Sequence, residues 1–461
     1  MSQKSPDLPK TAAVVLAAGQ GTRMKSATPK VMHRLAGQPL LGHVMGTLRQ
    51  IEVADVVVVL GPDMDDVAAV AAPHKTMMQK DRLGTGHAVM QAEGTLPKSC
   101  DSILVLYGDT PLITPATLRA MLAMRMGKDA PAVVVLGFTP DDPGEYGRLV
   151  LDEADGTLEA IVEARDADAE TLGIDLCNSG VMAVDAGLLW GWLKRIKNDN
   201  AKGEYYLTDI VALAREDGFA CAVAEGDAEE VLGINSRVDL AMAEAIVQDR
   251  LRERAMEGGA TLADPSTVYF SMDTKLGRDV AVGPNVVFGP GVSVADGVEI
   301  RAFSHIEGAT IETNATVGPF ARLRPGAVIG TDARVGNFVE IKNAEIEAGA
   351  KVNHLSYVGD ARVGAGANVG AGTITCNYDG YLKSRTDIGA GAFIGSNAAL
   401  VAPVTIGDGA IVGAGSVVTR DVAADAIVTA RGEQNEIAGA AKKYRDRKQA
   451  EKAKQKNGKK T

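Results

Sequence analysis

The sequence predicts two folds in series, an α/β Rossmann-like half and then a parallel β-helix of hexapeptide repeats. Three observations carry this. From Thr11 to about Asn235, runs of four or five apolar residues alternate with helix-length stretches. After Gly277 an apolar residue returns every six positions. The composition agrees: 52 glycines in 461 residues is about 11%, against ~7% in an average protein, while aromatics are only 4%. At roughly 150 residues per domain the length alone leads one to expect about three domains. The expected boundaries are 1–236 for the first domain, 237–258 for a helical linker, 259–440 for the β-helix and 441–461 for a disordered basic tail.

Each element follows from its residues. Ala12 to Leu16, Val56 to Leu60, Ile103 to Tyr107 and Ala132 to Leu136 are continuous apolar runs closed soon after by glycine. Such runs are buried parallel strands. Ligands on such sheets bind at the carboxyl ends of strands, where Gly19-Gln20-Gly21, Gly61-Pro62-Asp63 and Gly108-Asp109 fall. Arg237 to Glu257 has no Gly or Pro and is rich in Ala, Glu, Arg and Leu, so it reads as one helix ending at Gly258-Gly259.

The six-residue series then runs Val282, Phe288, Val294, Ile300, Ile306; Ile311, Val317, Leu323, Ile329, Val335, Ile341; and Ile388, Ile394, Leu400, Ile406, Val412, Val418. Three such hexads make one triangular coil with the apolar residue pointing in, which explains the scarcity of aromatics. After Val369 the register is lost through Thr375-Cys376-Asn377-Tyr378-Asp379-Gly380-Tyr381 and resumes at Ile388. An insertion into a strict repeat maps to an external loop, often a functional one.

Several classes are excluded. No apolar run approaches the roughly 18 residues that span a bilayer, and Met1 to Lys10 is polar with two prolines, so a cytoplasmic protein without a membrane partner is expected. Cys100, Cys177, Cys221 and Cys376 form no CxxC pair, which argues against a zinc cluster or a disulfide framework. The net charge is −11, and from Ala441 to Thr461 ten Lys/Arg face two acidic residues, leaving −19 for the rest. That balance disfavours nucleic acid as a partner and leaves only the tail as a polyanion contact.

The chemistry-bearing motifs begin at Leu16-Ala17-Ala18-Gly19-Gln20-Gly21-Thr22-Arg23-Met24, followed by Pro29-Lys30. A glycine-rich turn after the first strand exposes N–H groups to phosphate oxygens, and Arg23 and Lys30 add positive charge. Met24 in the third glycine position rules out a dinucleotide fingerprint, and no Gly-Lys-Ser/Thr makes a P-loop. The extended string L-x2-G-x-G-T-x-M-x4-P-K resembles the nucleotide-sugar pyrophosphorylases, which join a nucleoside triphosphate to a sugar 1-phosphate. Gln79, Gly84-Thr85 and Tyr107-Gly108-Asp109 form the second constellation. An amide can read a pyrimidine edge, glycine permits close approach to a base, and Asp109 is a hard-oxygen ligand for Mg²⁺, with Asn235 the second ligand by resemblance. Gly147, Glu163, Asn178 and Gly203-Glu204-Tyr205-Tyr206 form a third set, each member alone compatible with a solvated surface.

In the repeat, Arg324, Glu340, Lys342, His354, Tyr357 and Asn368 are polar residues with no packing duty. Arg324 and Lys342 are one coil apart, and two stacked cations repel unless an anion lies between them, so they read as a phosphate clamp. His354 is then within reach of a clamped substrate as a general base, although a lone histidine in a repeat also fits a structural role.

In this order the motifs resemble the bifunctional bacterial N-acetylglucosamine-1-phosphate uridylyltransferase / glucosamine-1-phosphate acetyltransferase family, from about Ala12 to Arg431. The resemblance implies a left-handed β-helix and a homotrimer with acetyltransferase sites shared between subunits. It implies acetyl transfer from acetyl-CoA to glucosamine 1-phosphate, then uridylyl transfer from UTP to N-acetylglucosamine 1-phosphate with release of pyrophosphate, feeding cell-wall peptidoglycan and lipopolysaccharide. On the uridylyl side it carries Leu16, Ala17, Ala18, Gly19, Lys30, Gln79, Gly84, Thr85, Tyr107, Gly108 and Asp109 as substrate contacts. Gly147, Glu163 and Asn178 would hold the sugar, and Asp109 and Asn235 the Mg²⁺. Arg23 and Lys30 would stabilise developing charge. On the acetyl side His354 would be the base supported by Glu340, with Arg324 and Lys342 holding the sugar phosphate and Tyr357 and Asn368 orienting the sugar. Ala371, Asn377, Tyr378, Ser396, Ala414 and Arg431 would contact acetyl-CoA. Two rivals stay open: a sugar-1-phosphate nucleotidyltransferase with a non-catalytic trimerising β-helix, and a non-catalytic nucleotide-sugar sensor. The basic tail, if not simply solvated, would lie near the phosphates of CoA.

Overall fold

The structure, a computed structural model, describes residues 9–127 and 129–457. It divides into two compact units, one reaching Thr274 and including Val287–Gly291, the other comprising Lys275–Val286 and the chain from Val292 onward.

In the first unit, strands β1 (Thr11–Leu16), β2 (Asp55–Leu60), β3 (Lys75–Met78), β4 (Ser102–Tyr107), β5 (Val133–Phe138), β6 (Arg148–Leu151), β7 (Leu158–Val162), β8 (Cys177–Asp185) and β9 (Cys221–Glu225) form one sheet. The order is β9-β5-β8-β4-β1-β2-β3, with β6 and β7 branching from β8. The strands at the four apolar runs all point the same way. A strand not foreseen, β8, lies antiparallel between β4 and β5, so the sheet is mixed rather than wholly parallel. Its Cys177-Asn-Ser-Gly start is too polar to read as a buried run. Strand order reverses at β1, which has β4 on one side and β2 on the other, and this switch point opens a crevice at the carboxyl ends of β1 and β4.

In the second unit three parallel ladders make a β-helix of triangular cross-section. Two of them join where Glu340–Ile346 and Tyr357–Val363 run around a corner. Up to the insertion, partners along a ladder are 17 or 18 residues apart, as in Glu299↔Thr316↔Arg334↔Lys351, and across it they are 25 apart, as in Asn368↔Phe393. Each of the apolar residues predicted to point inward is at most 3% exposed, and a column of Ile and Val side chains is the core. The β-helix is left-handed, as expected. Between Ile341 and Ile388 the inward positions are Ile346, Val352, Val358, Val363 and Val369, in steps of five or six.

Three expectations are corrected. First, the register is not lost at Thr375: Ile374–Cys376 pairs with Tyr357 and with Ala399–Val401, and Thr375 takes the inward place of an aliphatic residue. Its hydroxyl accepts the Gly359 N–H at 2.8 Å and bonds Gly359 O at 3.1 Å, which makes a buried threonine tolerable there. The insertion is therefore the segment after Cys376. Second, the helix Arg237–Glu257 and the residues after it belong with the first unit as far as Thr274. Buried Gln248 bonds both backbone groups of Phe270, at 2.7 and 2.8 Å, and Arg252 donates to Val268 O at 2.9 Å, so the helix covers this stretch. Third, the tail expected to be disordered is helical over Ala440–Asn457, while 458–461, like 1–8, lie outside the described residues. The stretch has no Gly, Pro or β-branched residue, and Lys442–Asp446 and Lys448–Glu451 pair along it at 2.8 and 2.7 Å.

Candidate active sites

The first site lies at the switch point. A cavity of about 330 Å³ is lined by Leu16, Ala17, Ala18, Gly19, Lys30, Gln79, Gly84, Thr85, Tyr107 and Asp109, all anticipated, together with Arg82 and Glu204. Lys30, in the short turn Lys30–Met32 after Pro29, sends its ammonium to the Asp109 carboxylate and, at 3.1 Å, to Asn235 Oδ1. The backbone fixes this convergence. Ile234 N donates to Asp109 O at 2.9 Å, and the capping box of the connector helix holds Asn235, whose N–H bonds Asp239 Oδ2 at 2.9 Å. A cation already seated between a carboxylate and an amide oxygen is the donor chemistry a hard divalent ion takes. Among the described residues no group of three or more His, Cys, Asp or Glu is placed to hold a metal.

Gln79 is buried at the end of β3. Its amide nitrogen donates to Gly84 O at 3.0 Å and lies 3.2 Å from His87 Nδ1. Gly84 has φ +107°, and a Cβ there would lie 2.6 Å from Tyr205 O, so no other residue lets segment 83–87 lie against 203–208. That packing is sealed by Gly86 N to Tyr205 O at 2.8 Å and Leu207 N to Thr85 Oγ1 at 3.1 Å. The half-buried Tyr107 phenol is pushed far up, first by desolvation and then by the Asp109 and Glu163 carboxylates.

Gly147, Glu163 and Asn178 gather beside this cavity without lining it. Asn178 N donates to Gly147 O at 2.8 Å, and a Cβ on Gly147 would be 3.5 Å from Val162 O. Glu163 bonds the Thr208 hydroxyl at 3.5 Å, and burial raises its pKa. Neighbouring Asp209 is raised to about 6, by burial and then by the Glu163 and Asp166 charges. Gly108 flanks Asp109. Arg23 is exposed on the turn Thr22–Met24 and does not reach the cavity wall. Arg82, which donates to Ala18 O at 2.8 Å, had no motif to announce it.

The second site is an outer edge of the β-helix. One corner forms a continuous column of backbone hydrogen bonds: Phe320 N to Ala302 O, Phe338 N to Phe320 O, Leu355 N to Asn337 O, Gly372 N to His354 O, Asn397 N to Ala371 O and Gly415 N to Ser396 O, at 2.8 to 3.2 Å. Arg431 Nη1 closes it on Ala414 O at 2.9 Å. His354, Ala371, Ser396, Ala414 and Arg431 thus lie in one line. Above His354 the same column carries Phe303, Phe320 and Phe338, stacked at 5.0 and 5.1 Å, and then Leu355, all exposed.

The face beside this column holds the cations. Arg324 lies over Lys342, since Leu323 pairs with Ile341. The Lys342 ammonium is held below its ordinary pKa by the hydrogen-bonding approach and charge of Lys383, with desolvation and Arg324 adding to this. Lys383 sits in the insertion, whose register gave no clue that it folds back. Asp360 lies among them. Burial pushes its carboxyl up, but the Asn343 and Asn377 amides and the two lysines outweigh this and hold it low. Tyr357 packs its ring against Gly359, the ladder partner of Lys342. Asn377 and Tyr378 therefore stand at this second corner, apart from the His354 column, and Asn368 lies on the ladder between Lys351 and Phe393.

Within the chain, the expected contact between Glu340 and His354 is not made. Glu340 does not touch the imidazole; it is taken by Arg324 at 2.8 Å, with Arg322 at 3.8 Å. His354 Nδ1 is instead 2.7 Å from Asn337 Oδ1. The reason is the coil: Asn337 pairs directly with His354, whereas Glu340 pairs with Tyr357.

Residues 13–169 match the MobA-like NTP transferase domain family, and 273–308, 308–343 and 385–420 match the bacterial transferase hexapeptide (six repeats) family. The chain is 62% identical over 445 residues to the Bifunctional protein GlmU of Paramagnetospirillum magneticum, covering 96% of this chain and 99% of that one. It is 63% identical to the protein of the same name from Rhodospirillum rubrum, over 95% and 97% of the two chains. With that of Zymomonas mobilis the identity is 52%, over 95% and 98%.

Proposed function

The chain belongs to the bifunctional GlmU family, and on that premise we propose how its two units divide the work. The protein is a bifunctional enzyme of UDP-N-acetylglucosamine synthesis, with a nucleotidyltransferase domain and a hexapeptide acetyltransferase domain. It acts on small molecules. We assign the chemistry of sugar phosphate and acetyl-CoA to the edge of the β-helix and that of UTP to the cavity at the sheet.

At the edge, Arg324, Lys342 and Lys383 bind the phosphate of glucosamine 1-phosphate, and Glu340 orients Arg324 by its 2.8 Å bond. Asn337 accepts the proton on Nδ1 of His354, so Nε2 carries the lone pair. Nε2 removes a proton from the sugar amine, the nitrogen attacks the thioester carbonyl, and the C–S bond breaks to release CoA. Tyr357 and Asn368 orient the sugar, and the column of Ala371, Ser396, Ala414 and Arg431 lies along acetyl-CoA. Asn377 and Tyr378, at the other corner, meet the CoA of a neighbouring subunit. We infer a homotrimer from this split and from the apolar strip of Phe303, Phe320, Phe338 and Leu355, which a second copy would cover.

In the cavity the backbone of Leu16 to Gly19 cradles the phosphates of UTP, and Gln79 and Gly84 stand where a base edge would lie. The phosphate oxygen of N-acetylglucosamine 1-phosphate, its sugar held by Gly147, Glu163 and Asn178, attacks the α-phosphorus, and the bond to the leaving pyrophosphate breaks. Lys30, joined by Arg23 from the exposed turn Thr22–Met24, balances the charge of the leaving group. Mg²⁺ fits the oxygen pair of Asp109 and Asn235 and, when bound, shields the triphosphate charge. No described helix is long and apolar enough to cross a membrane. The site of action we propose is the cytoplasm.

The observation that carries this reading is the separation of two sets, the cavity residues around Lys30, Asp109 and Asn235 in one unit and the His354 column with its cations in the other. The test is a single purified preparation given glucosamine 1-phosphate, acetyl-CoA, UTP and Mg²⁺, with CoA and pyrophosphate followed separately. Release of both is expected. Pyrophosphate only on addition of N-acetylglucosamine 1-phosphate, without CoA, would reduce the β-helix to a scaffold.

A further inference from the structure

A second cavity of the first unit, about 340 Å³, lies between the helix Leu40–Gln50, the segment 111–115 and the connector helix. Three arginines line it, Arg49, Arg250 and Arg254, and among the described residues no carboxylate pairs with any of them. Arg250 is fixed in the wall by its 2.8 Å bond to Leu112 O, whereas Arg49 and Arg254 are exposed. The one carboxylate in the lining, Asp273, already accepts the Gly291 N–H at 2.8 Å. His43 adds no charge: burial lowers its pKa, and its Nε2 is bonded to Leu35 O at 2.8 Å. In a chain of net charge −11, three guanidinium groups on one cavity wall, without acidic partners among the described residues, leave that wall positive, and an anion in the cavity balances the charge. The volume suits a small phosphorylated molecule.

We propose that this cavity binds an anion of the di- or triphosphate class and that its occupancy tunes uridylyl transfer. The coupling is covalent and short. Segment 111–115 follows Asp109 and Thr110 directly, and Thr110 is tied back to Tyr107 O by its hydroxyl at 2.9 Å. An anion drawing on Arg250 thus bears, through Leu112, on the strand end that carries Asp109. This coupling rests on the uridylyl reading given above; the binding does not.

The test is hydrogen exchange on the full-length protein in EDTA, so that reverse uridylyl transfer does not run, with UDP-N-acetylglucosamine saturating the first cavity, adding millimolar inorganic pyrophosphate in one arm and ATP in the other. Slowed exchange in peptides covering 40–50 and 247–254 is expected. Equal effects of the two probes assign the polyphosphate as the recognised group, and an effect of ATP alone assigns a nucleotide. The doubly substituted Arg49→Gln/Arg254→Gln protein should need at least tenfold more probe for the same protection, with pyrophosphate release unchanged when no anion is added. Protection confined to 16–30 and 79–85, or undiminished in the double variant, overturns the proposal. A protein that shows the protection but releases no pyrophosphate from UTP would leave the site standing and sink the uridylyl reading instead.

Discussion

The two units solve the same problem, holding a phosphorylated sugar, by opposite means. In the α/β unit the functional groups come from distant parts of the chain and are bonded to one another inside a cavity, as Lys30 is to Asp109 and Asn235. In the β-helix they come from successive coils, stand outside it and are partly exposed, with His354 fully at the surface. A cavity site is complete within one chain. An edge site gets its geometry from the ladder but leaves one side open, which is why the trimer we propose bears only on the first reaction, acetyl transfer.

The largest expected effects test whether the units are independent. Asp109→Ala should lower uridylyl transfer by about 10³-fold and leave CoA release within twofold, and His354→Ala should do the reverse by ~10³-fold. Loss of both activities in either variant would break the comparison. Next, Asn337→Ala should cost acetyl transfer about tenfold, flatten the pH profile of kcat/KM on its acidic limb and be rescued by Asn337→Asp. A full effect of Glu340→Gln on that pH profile, with none from Asn337→Ala, would return the supporting role to Glu340. A smaller effect is expected for Asp209→Asn. The carboxyl is raised to about 6 in the folded unit, so it favours folding most below its unfolded value near 4 and loses that contribution as pH rises through 6. The variant should therefore melt higher than the parent at pH 8, with the difference vanishing by pH 4. The smallest effect concerns the tail. Truncation after Ala440 should leave the KM for acetyl-CoA unchanged, because the helix Ala440–Asn457 is exposed along its described side chains.

Much of this was legible because each half repeats a simple rule. Apolar runs located β1, β2, β4 and β5 within a residue or two, and the six-residue period placed each predicted inward side chain. What escaped was whatever departs from the rule. Strand β8 begins too polar to read as a strand, and Thr375 hides an inward position behind a hydroxyl that is satisfied only in three dimensions. Arg82 and Lys383 act from segments with no periodicity. The placement of Glu340 is the most instructive. Side chains meet across coils 17 or 18 residues apart, so the partner of His354 is Asn337, and the acidic residue nearer in sequence belongs to the next ladder. The candidate sites were legible as sets of residues, whereas their internal wiring depended on register.

The spacing of the ladders also bears on how each unit comes into being. A coil closes on its predecessor after 17 or 18 residues, a short loop whose entropy cost is small, so the β-helix can grow coil by coil as the chain emerges. The α/β unit has no such increments at its active centre. The bond from Ile234 N to Asp109 O, and that from Lys30 to Asn235, join residues 125 and 205 positions apart, so the nucleotide site stays open until the connector helix has begun to form. The order of synthesis is then the reverse of the order of catalysis: the domain for the second reaction is translated first, but its active centre is the slower to assemble.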